Sequence, residues 1–232
     1  STIKGLNQLG KIGVIGDFWD SYRMSMVNPD AIKSTAYEHG GIRNFSRVSE
    51  VFNQPKIILS RDMWMDSFPD SINQFGITLL KQGNPFFLGG SNLCEYKPSR
   101  IRKTLALDTL IYNTSLLDTN LNCLKIDKEN KQLNKTHIVY GAASSLLPGE
   151  YEINYYCSFS DDEFINLNQQ IAIDISANYG NEILLYKPLK KSDYNTSKKC
   201  FTLKFSTNNL NQATEFRLFY TENLSFYFYK IE

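Results

Sequence analysis

The sequence predicts a two-domain α+β protein. A small α/β domain, with a parallel sheet and a three-layer-like arrangement, occupies residues 1–98, and an antiparallel, jelly-roll-like β-sandwich occupies residues 99–232. Two observations predict this division. Before residue 98, short apolar runs alternate with helical patterns, and after it, strand patterns of period two follow one another with turn signals between them. A chain of 232 residues is long enough to bury two cores.

The first part reads as alternating helices and strands. Residues 2–9 resemble the end of a helix that Gly10 stops, and the apolar run 11–15 predicts a short buried strand. Asp17 follows as the N-cap of a helix over 19–26. Helical patterns then recur at 48–52 and 68–75, and strand patterns at 31–36, 56–60, 77–80, 86–88 and 93–96. Strand–helix–strand spacing of this kind predicts parallel strand pairing.

The second part consists of strands with polar turns between them. Residues 113–132 are polar and Asn-rich, which indicates a long loop or a weak hairpin. Eight strands are predicted, at 105–112, 136–140, 150–158, 170–176, 182–189, 200–207, 213–221 and 224–231. Strict alternation in most of these segments assigns one face to the core and the other to solvent.

The solvent face of these strands combines flat aromatic rings with polar side chains. An aromatic ring covers the C–H side of a pyranose, and amide, carboxylate and guanidinium groups pair with its hydroxyls. The candidate glycan-binding residues on this face are Asn154, Tyr156, Asp174, Lys204, Arg217, Phe219, Tyr227 and Tyr229. The alternative is an ordinary polar sheet face, in which tyrosine occurs because it favours strands.

A second candidate site lies in the first part, directly after the first predicted strand. Open α/β sheets bind ligands at the carboxyl ends of their parallel strands, and the turn that opens the next helix is at this edge. It brings together two carboxylates and two aromatic rings: Asp17, Trp19, Asp20 and Tyr22. The alternative is that Asp17 acts only as a helix cap and Trp19 packs inward.

Charge and cysteine content exclude several classes of protein. The formal net charge is +1, which lacks the basic excess that nucleic-acid binding requires. The four cysteines are far apart and only two histidines accompany them, so we expect no metal and no cofactor. The thiols are either buried and free, or Cys157 and Cys200 form a bridge. The acidic run at 161–163 is interpreted as a solvated loop rather than a calcium site.

Two stretches resemble parts of known families. The strand–turn Ile15–Tyr22 (IGDFWDSY) is similar to the extracytoplasmic C-terminal α/β region of bacterial integral-membrane glycosyltransferases, with Phe18-Trp19 in place of their Tyr-Trp pair. Residues 139–151 (VYGAASSLLPGEY) resemble a stretch of the β-sandwich modules attached to enzymes of bacterial surface polysaccharide synthesis, which are similar to carbohydrate-binding modules. Ala142-Ala143 replaces the Pro-aromatic pair of those modules. Neither resemblance supplies catalytic residues.

The sequence therefore predicts a non-catalytic, extracytoplasmic region that binds and orients a glycan or a lipid-linked sugar. The resemblance implies that it belongs to a membrane-bound sugar transferase of cell-envelope synthesis and is joined to the membrane through an upstream region. The chain begins at Ser1 rather than Met, which fits a fragment of a longer protein. Two alternatives remain. One is a soluble hydrolase or esterase with an accessory β-sandwich, in which Ser91 or Ser21 is the nucleophile and His39 the base. The other is a surface adhesion or assembly module.

Overall fold

The structure is a computed structural model that describes residues 2–40, 45–99, 104–141 and 143–232. Ala142, part of the second resemblance, lies outside the described residues. Within them the chain is mostly β, with several antiparallel sheets and few helices. The chain divides into two compact units. Unit 1 contains Ser1–Arg100 together with Ser145–Pro148 and Thr207–Asn211, and unit 2 contains the remainder. These two later segments of unit 1 have no counterpart in the predicted division at residue 98.

Unit 1 is built on a six-stranded sheet. Its helices are α1 (Thr2–Asn7), α2 (Phe18–Val27) and α3 (Phe45–Phe52). Its strands are β1 (Ile12–Gly16), β2 (Ile32–Ala36), β3 (Ile57–Arg61), β4 (Ser71–Gln74), β5 (Ile77–Leu88) and β6 (Ser91–Pro98), and they lie in the order β2-β1-β3-β6-β5-β4. β1 pairs in parallel with β2 and β3, whereas β6, β5 and β4 pair antiparallel. The sheet is therefore mixed rather than parallel throughout.

Alternate residues of the central strands enter different hydrophobic clusters. Ile12 and Val14 pack with residues of α1 and α2, while Ile15 packs with Val48 and Val51 of α3. Successive side chains of a strand point to opposite faces, so α3 lies on the other side of the sheet from α1 and α2. The chain crosses from β1 to β2 in one direction and from β2 to β3 in the other. Right-handed crossovers in opposite directions place their helices on opposite faces, which accounts for this arrangement.

Two hairpins replace predicted features of the first part. The helical pattern at 68–75 is wrong, because β4 and β5 form a hairpin whose two-residue turn is Phe75-Gly76. Both turn residues have positive φ, 57° and 72°, as a type I′ turn requires. A phenylalanine rarely occupies that conformation, so the sequence pattern does not signal the turn. Gly89-Gly90 closes the hairpin between β5 and β6, and the two predicted strands at 77–80 and 86–88 are one strand.

The rest of the chain contains short and long strands and one six-residue helix, α4 (Asp161–Asn166), within the described residues. The strands are β7 (Ile111–Tyr112), β8 (Leu117–Asp118), β9 (Cys123–Ile126), β10 (Thr136–Tyr140), β11 (Ser144–Leu146), β12 (Gly149–Ser158), β13 (Asn168–Ala177), β14 (Glu182–Lys190), β15 (Tyr194–Asn195), β16 (Cys200–Thr207), β17 (Asn211–Tyr220) and β18 (Phe226–Ile231). One sheet has the order β14-β13-β17-β10-β7, and another has the order β15-β16-β12-β18-β9-β8. The pairings recorded within both are antiparallel.

Three predictions for the second part need correction. Residues 105–112 do not form one strand, because a 3₁₀ turn over Leu107–Thr109 separates the isolated bridge at Leu105 from β7. Residues 113–132 contain paired strands, β8 and β9, rather than only a loop. The acidic run at 161–163 is the first turn of α4, where carboxylates interact favourably with the helix dipole. Ser160 caps that helix, so the local sequence favours a helix start.

Glu163, the last acid of this run, is buried and pairs with Lys128 at 2.7 Å. Within the described residues, no group of three or more His, Cys, Asp and Glu side chains is placed to hold a metal ion.

None of the helices that the structure describes is long and apolar enough to cross a membrane.

Candidate functional site

A cavity of about 440 Å³ lies at the carboxyl ends of the three parallel strands of unit 1. The segments that follow β1, β2 and β3 all contribute to it. Its lining consists of Asp17, Trp19, Asp20, Arg23, Tyr37, Asp62, Met63 and Trp64. This is the edge at which open α/β sheets bind ligands, and the volume falls in the range of small-ligand pockets, about 300–1,000 Å³. Three of the four residues of the second candidate site therefore meet in one cavity.

Asp17 caps the helix that carries the first residues of the lining. One carboxylate oxygen, Oδ1, accepts hydrogen bonds from the backbone N–H groups of Trp19 (2.7 Å) and Asp20 (3.1 Å), so Asp17 is the N-cap of α2. Trp19 is in the first turn of the helix and is 79 % exposed, with its ring edge-on to Phe18 at 5.1 Å. The alternative in which Trp19 packs inward is therefore wrong, although Asp17 does cap the helix.

Asp20 is the centre of a partly buried hydrogen-bond network. Oδ1 accepts from Ser91 (2.7 Å) and Arg23 (2.5 Å), and Oδ2 accepts from Ser60. Burial alone would raise the pKa of Asp20, but the hydrogen bonds from Ser60, Arg23 and Ser91 outweigh it and hold the pKa below the usual value of 3.8. Arg23 also donates to the carbonyl of Gly89 at 3.0 Å. The network connects α2 to β3 and to the β5–β6 hairpin, so Asp20 positions the cavity wall.

Asp62 supplies the third carboxylate of the lining. It follows β3 directly and its carboxyl group lies near that of Asp17 in the lining. Interaction with the Asp17 carboxyl group is the main reason that the pKa of Asp62 is raised above 3.8, and desolvation and the negative charges of Asp17 and Asp20 act in the same direction. Oδ2 of Asp17 is buried and has no hydrogen-bond partner among the described residues. The cavity lining therefore contains one buried carboxylate oxygen that is free to accept a hydrogen bond, with a second carboxyl group near it.

Tyr37 and Trp64 form a rigid aromatic wall. Their rings stack with centroids 4.8 Å apart and an interplanar angle of 12°. The indole N–H of Trp64 donates to the carbonyl of Ser60 at 2.7 Å, and the backbone N–H of Tyr37 donates to the carbonyl of Gly16 at 2.8 Å. Both rings are therefore held against the strand ends. Met63, next to Trp64, is 96 % exposed.

Five residues of the lining are not among the predicted site residues, and one predicted residue lies outside the lining. Tyr22 packs its ring against Phe18 at 4.8 Å and is outside the cavity lining. The missed residues are Arg23, Tyr37, Asp62, Met63 and Trp64. Tyr37 follows the last residue of β2 and Asp62 follows the last residue of β3. The rule that selected Asp17 after β1 would therefore have found them, had it been applied to every parallel strand.

The predicted glycan-binding face of the second part is not a single face. Asn154, Tyr156, Lys204, Tyr227 and Tyr229 belong to β12, β16 and β18 of one sheet. The other three predicted residues belong to β13 and β17 of the other sheet: Asp174, Arg217 and Phe219. Alternation within a strand gives the face of each residue but does not show which strands share a sheet.

Several of these side chains already have partners within unit 2. The side-chain carbonyl of Asn154 accepts from Thr202 at 2.7 Å. The hydroxyl of Tyr156 donates to Glu232 at 2.7 Å, and Lys230 lies over its ring, 4.6 Å from the centroid. These contacts are typical of a hydrogen-bonded polar sheet face.

Asp174 and Arg217 form a buried ion pair. They are cross-strand partners in register, and Nε and Nη2 of Arg217 donate to the two carboxylate oxygens at 2.6 and 2.9 Å. Nε2 of His137 lies 2.9 Å from Oδ2 of Asp174, and its ring is edge-on to Phe219 at 5.2 Å. The side chains of Asp174 and Arg217 are only 7 % and 12 % exposed. This geometry favours a structural role.

The nucleophiles of the hydrolase alternative are engaged in other contacts. Ser91 donates to Asp20, and Ser21 donates to the backbone carbonyl of Asp17 at 2.7 Å. Both serines are buried, whereas His39 is exposed. Among the side-chain hydrogen bonds recorded for the described residues, none joins either serine to His39. A serine that acts as a nucleophile needs its base within hydrogen-bond reach.

Comparison of the chain with protein-family models, with curated proteins and with solved structures finds no match.

Proposed function

We propose that the chain is a non-catalytic glycan-binding region and that the unit 1 cavity is its binding site. The observation that carries this proposal is the exposed ring of Trp19 and the Tyr37–Trp64 stack around three carboxylates in one concave site. Aromatic rings provide flat apolar surface for the C–H face of a sugar, and carboxylates and a guanidinium provide acceptors and donors for its hydroxyls. The Tyr37 and Trp64 rings are held in place before binding by their stack and by the Trp64 hydrogen bond, which reduces the entropic cost of association.

The charge of the lining supports a ligand without negative charge. Three carboxylates face one guanidinium, and Arg23 is already paired with Asp20. A phosphate or a nucleotide would meet net negative charge at this site. A neutral sugar meets acceptors for its hydroxyl groups. The geometry thus favours a glycan over an anionic ligand.

The same proposal includes the kind of protein to which the chain belongs. We place the chain in the extracytoplasmic region of a membrane-bound sugar transferase, with the antiparallel sheets of unit 2 as a jelly-roll-like β-sandwich. The similarity of Ile15–Tyr22 to such transferases supports this, and that segment leads into the cavity. This assignment is tested by determining the sequence of the complete gene. Upstream helices of about 20 apolar residues each would support the assignment, and a gene without them would contradict it.

Binding is tested with the purified chain on a glycan array, followed by titration calorimetry of the glycans that bind. Trp19→Ala and Trp64→Ala should each weaken binding about tenfold or more, since each removes an aromatic surface from the cavity. Phe87→Ala is the matched control, because Phe87 is 69 % exposed and outside the lining. Unchanged binding in both tryptophan variants would contradict the proposed site.

A further inference from the structure

Within the part of the chain that the structure describes, the carboxyl groups of Asp17 and Asp62 in the cavity form no ion pair with a cationic side chain. Asp20 and Arg23 form an ion pair in which Oδ1 of Asp20 and Nη2 of Arg23 are 2.5 Å apart, so their charges neutralise each other. Arg61, next to Asp62 in the chain, turns away: it donates to the carbonyl of Asp66 at 2.9 Å and lies over the Phe68 ring. The remaining ionisable groups of the lining are the Asp17–Asp62 pair and the Tyr37 phenol. The ligand side of the cavity therefore carries uncompensated negative charge.

One oxygen of this pair also lacks a donor. Oδ1 of Asp17 accepts from the N–H groups at the start of α2, whereas the buried Oδ2 has no hydrogen-bond partner among the described residues. An ammonium group has three N–H donors and a positive charge, so it can donate to the unpartnered Oδ2 of Asp17 and to the Asp62 carboxylate. Trp19, Tyr37 and Trp64 line the same cavity, and aromatic faces attract cations.

We infer that the unit 1 cavity selects a sugar with a free amino group, whose ammonium binds the Asp17–Asp62 carboxylates while the sugar ring contacts the tryptophans. This inference rests on the proposed function, and it names the class of glycan. An N-acetylated sugar lacks the charge and loses the ion pair. A uronic acid adds a negative charge and is rejected. Selection for an amine is therefore a property of the two carboxylates rather than of the aromatic wall.

The test compares three probes by calorimetry at about pH 5.5, because the oxygen substituents of a sugar make its amine a weaker base than that of lysine and the amine must carry its proton. The probes are a β-1,4-linked glucosamine tetramer, the same tetramer fully N-acetylated, and methylammonium. The glucosamine tetramer should bind about tenfold or more tightly than the acetylated one, as a charge-assisted hydrogen bond implies. Methylammonium should bind far more weakly than the tetramer, because it lacks the ring that contacts the tryptophans.

In the double variant Asp17→Asn/Asp62→Asn, the ratio of the affinities for the glucosamine tetramer and the acetylated tetramer should fall to about one. Weak binding of both tetramers should persist. Asparagine caps helices as well as aspartate does, so the melting temperature should change little. Asp30→Asn is the control, because Asp30 is exposed and outside the lining. It should leave the preference intact.

The possible results separate the inference from the proposed function. Equal binding of the two tetramers, or a preference that survives in the double variant, overturns the amine selection and leaves glycan binding intact. Methylammonium binding as tightly as the tetramer also overturns the inference, since the sugar would then contribute nothing. Absence of binding by every glycan on the array overturns the proposed function itself.

Discussion

The rings of Tyr37 and Trp64 stack with centroids 4.8 Å apart, although 26 residues separate them in the sequence. Tyr37 follows β2 and Trp64 follows β3, and β1 lies between these strands. The stack therefore spans the carboxyl edge of the parallel strands above β1. Asp17 and Trp19 leave β1 at that same edge, which makes the pair the back wall of the cavity.

Removal of this wall should cost stability as well as binding. Trp64→Ala loses the ring stack and the hydrogen bond to Ser60, and we expect a loss of about 1–3 kcal/mol in the free energy of unfolding. Trp64→Phe keeps a ring and loses only the hydrogen bond, so about 1 kcal/mol is expected. Urea denaturation measures both. A Trp64→Ala variant as stable as the parent would show that the stack does not hold the two segments together.

The low pKa of Asp20 should make unit 1 sensitive to acid. A carboxyl group with a pKa below its unfolded value stabilises the fold above that value, near 3.8, and the contribution is lost as the pH falls through the lower folded pKa. Asp20→Asn should therefore destabilise the protein at pH 7 by about 1–3 kcal/mol, with a smaller difference from the parent below about pH 3. Denaturation at several pH values, with Asp30→Asn as control, checks this. A difference independent of pH would exclude the carboxylate as the cause.

The Asp174–Arg217 pair should matter for folding and not for ligand binding. Arg217→Met leaves Asp174 buried with His137 as its remaining hydrogen-bond partner among the described side chains, and we expect a loss of about 3 kcal/mol or more in the free energy of unfolding. The double variant Asp174→Leu/Arg217→Met removes both charges and should recover much of that loss. Thermal unfolding and glycan titration are measured together. If a folded Arg217→Met variant loses glycan binding, Arg217 contacts the ligand, as the sequence predicts.

All four cysteines should be unreactive free thiols in the folded protein. They are unpaired and fully buried, which does not support a Cys157–Cys200 bridge. Burial raises the pKa of Cys94, Cys123 and Cys157, and the thiolate is the reactive form. Titration with a disulfide reagent should therefore detect almost no thiol in the native protein and four after denaturation. Two thiols after denaturation without a reductant would indicate a bridge.

Local signals were sufficient for part of the candidate site. The apolar run before Asp17, the capping side chain and the helical pattern after it place Asp17, Trp19 and Asp20 at the carboxyl end of a strand, and the structure puts them in the cavity. The same signals did not show that the Tyr22 ring packs against Phe18. Which side of a helix is buried depends on the elements that pack against it, and these are not visible in the local sequence. They also missed the Phe75-Gly76 turn, which depends on a conformation that few phenylalanines adopt.

The sequence by itself determined the change from helix–strand alternation to period-two strands near residue 98, the positions of β1, β2 and β3, and the cap of α2. These features depend on neighbours within about ten residues, and hydrophobic periodicity and capping act over that range. Only the tertiary structure decided which strands pair. It divided the predicted strand face between two sheets, brought Asp62 to Asp17, and put the segments 145–148 and 207–211 into unit 1. Strand pairing joins residues far apart in the chain, and the energy that selects it comes from burial of whole faces rather than from any local pattern.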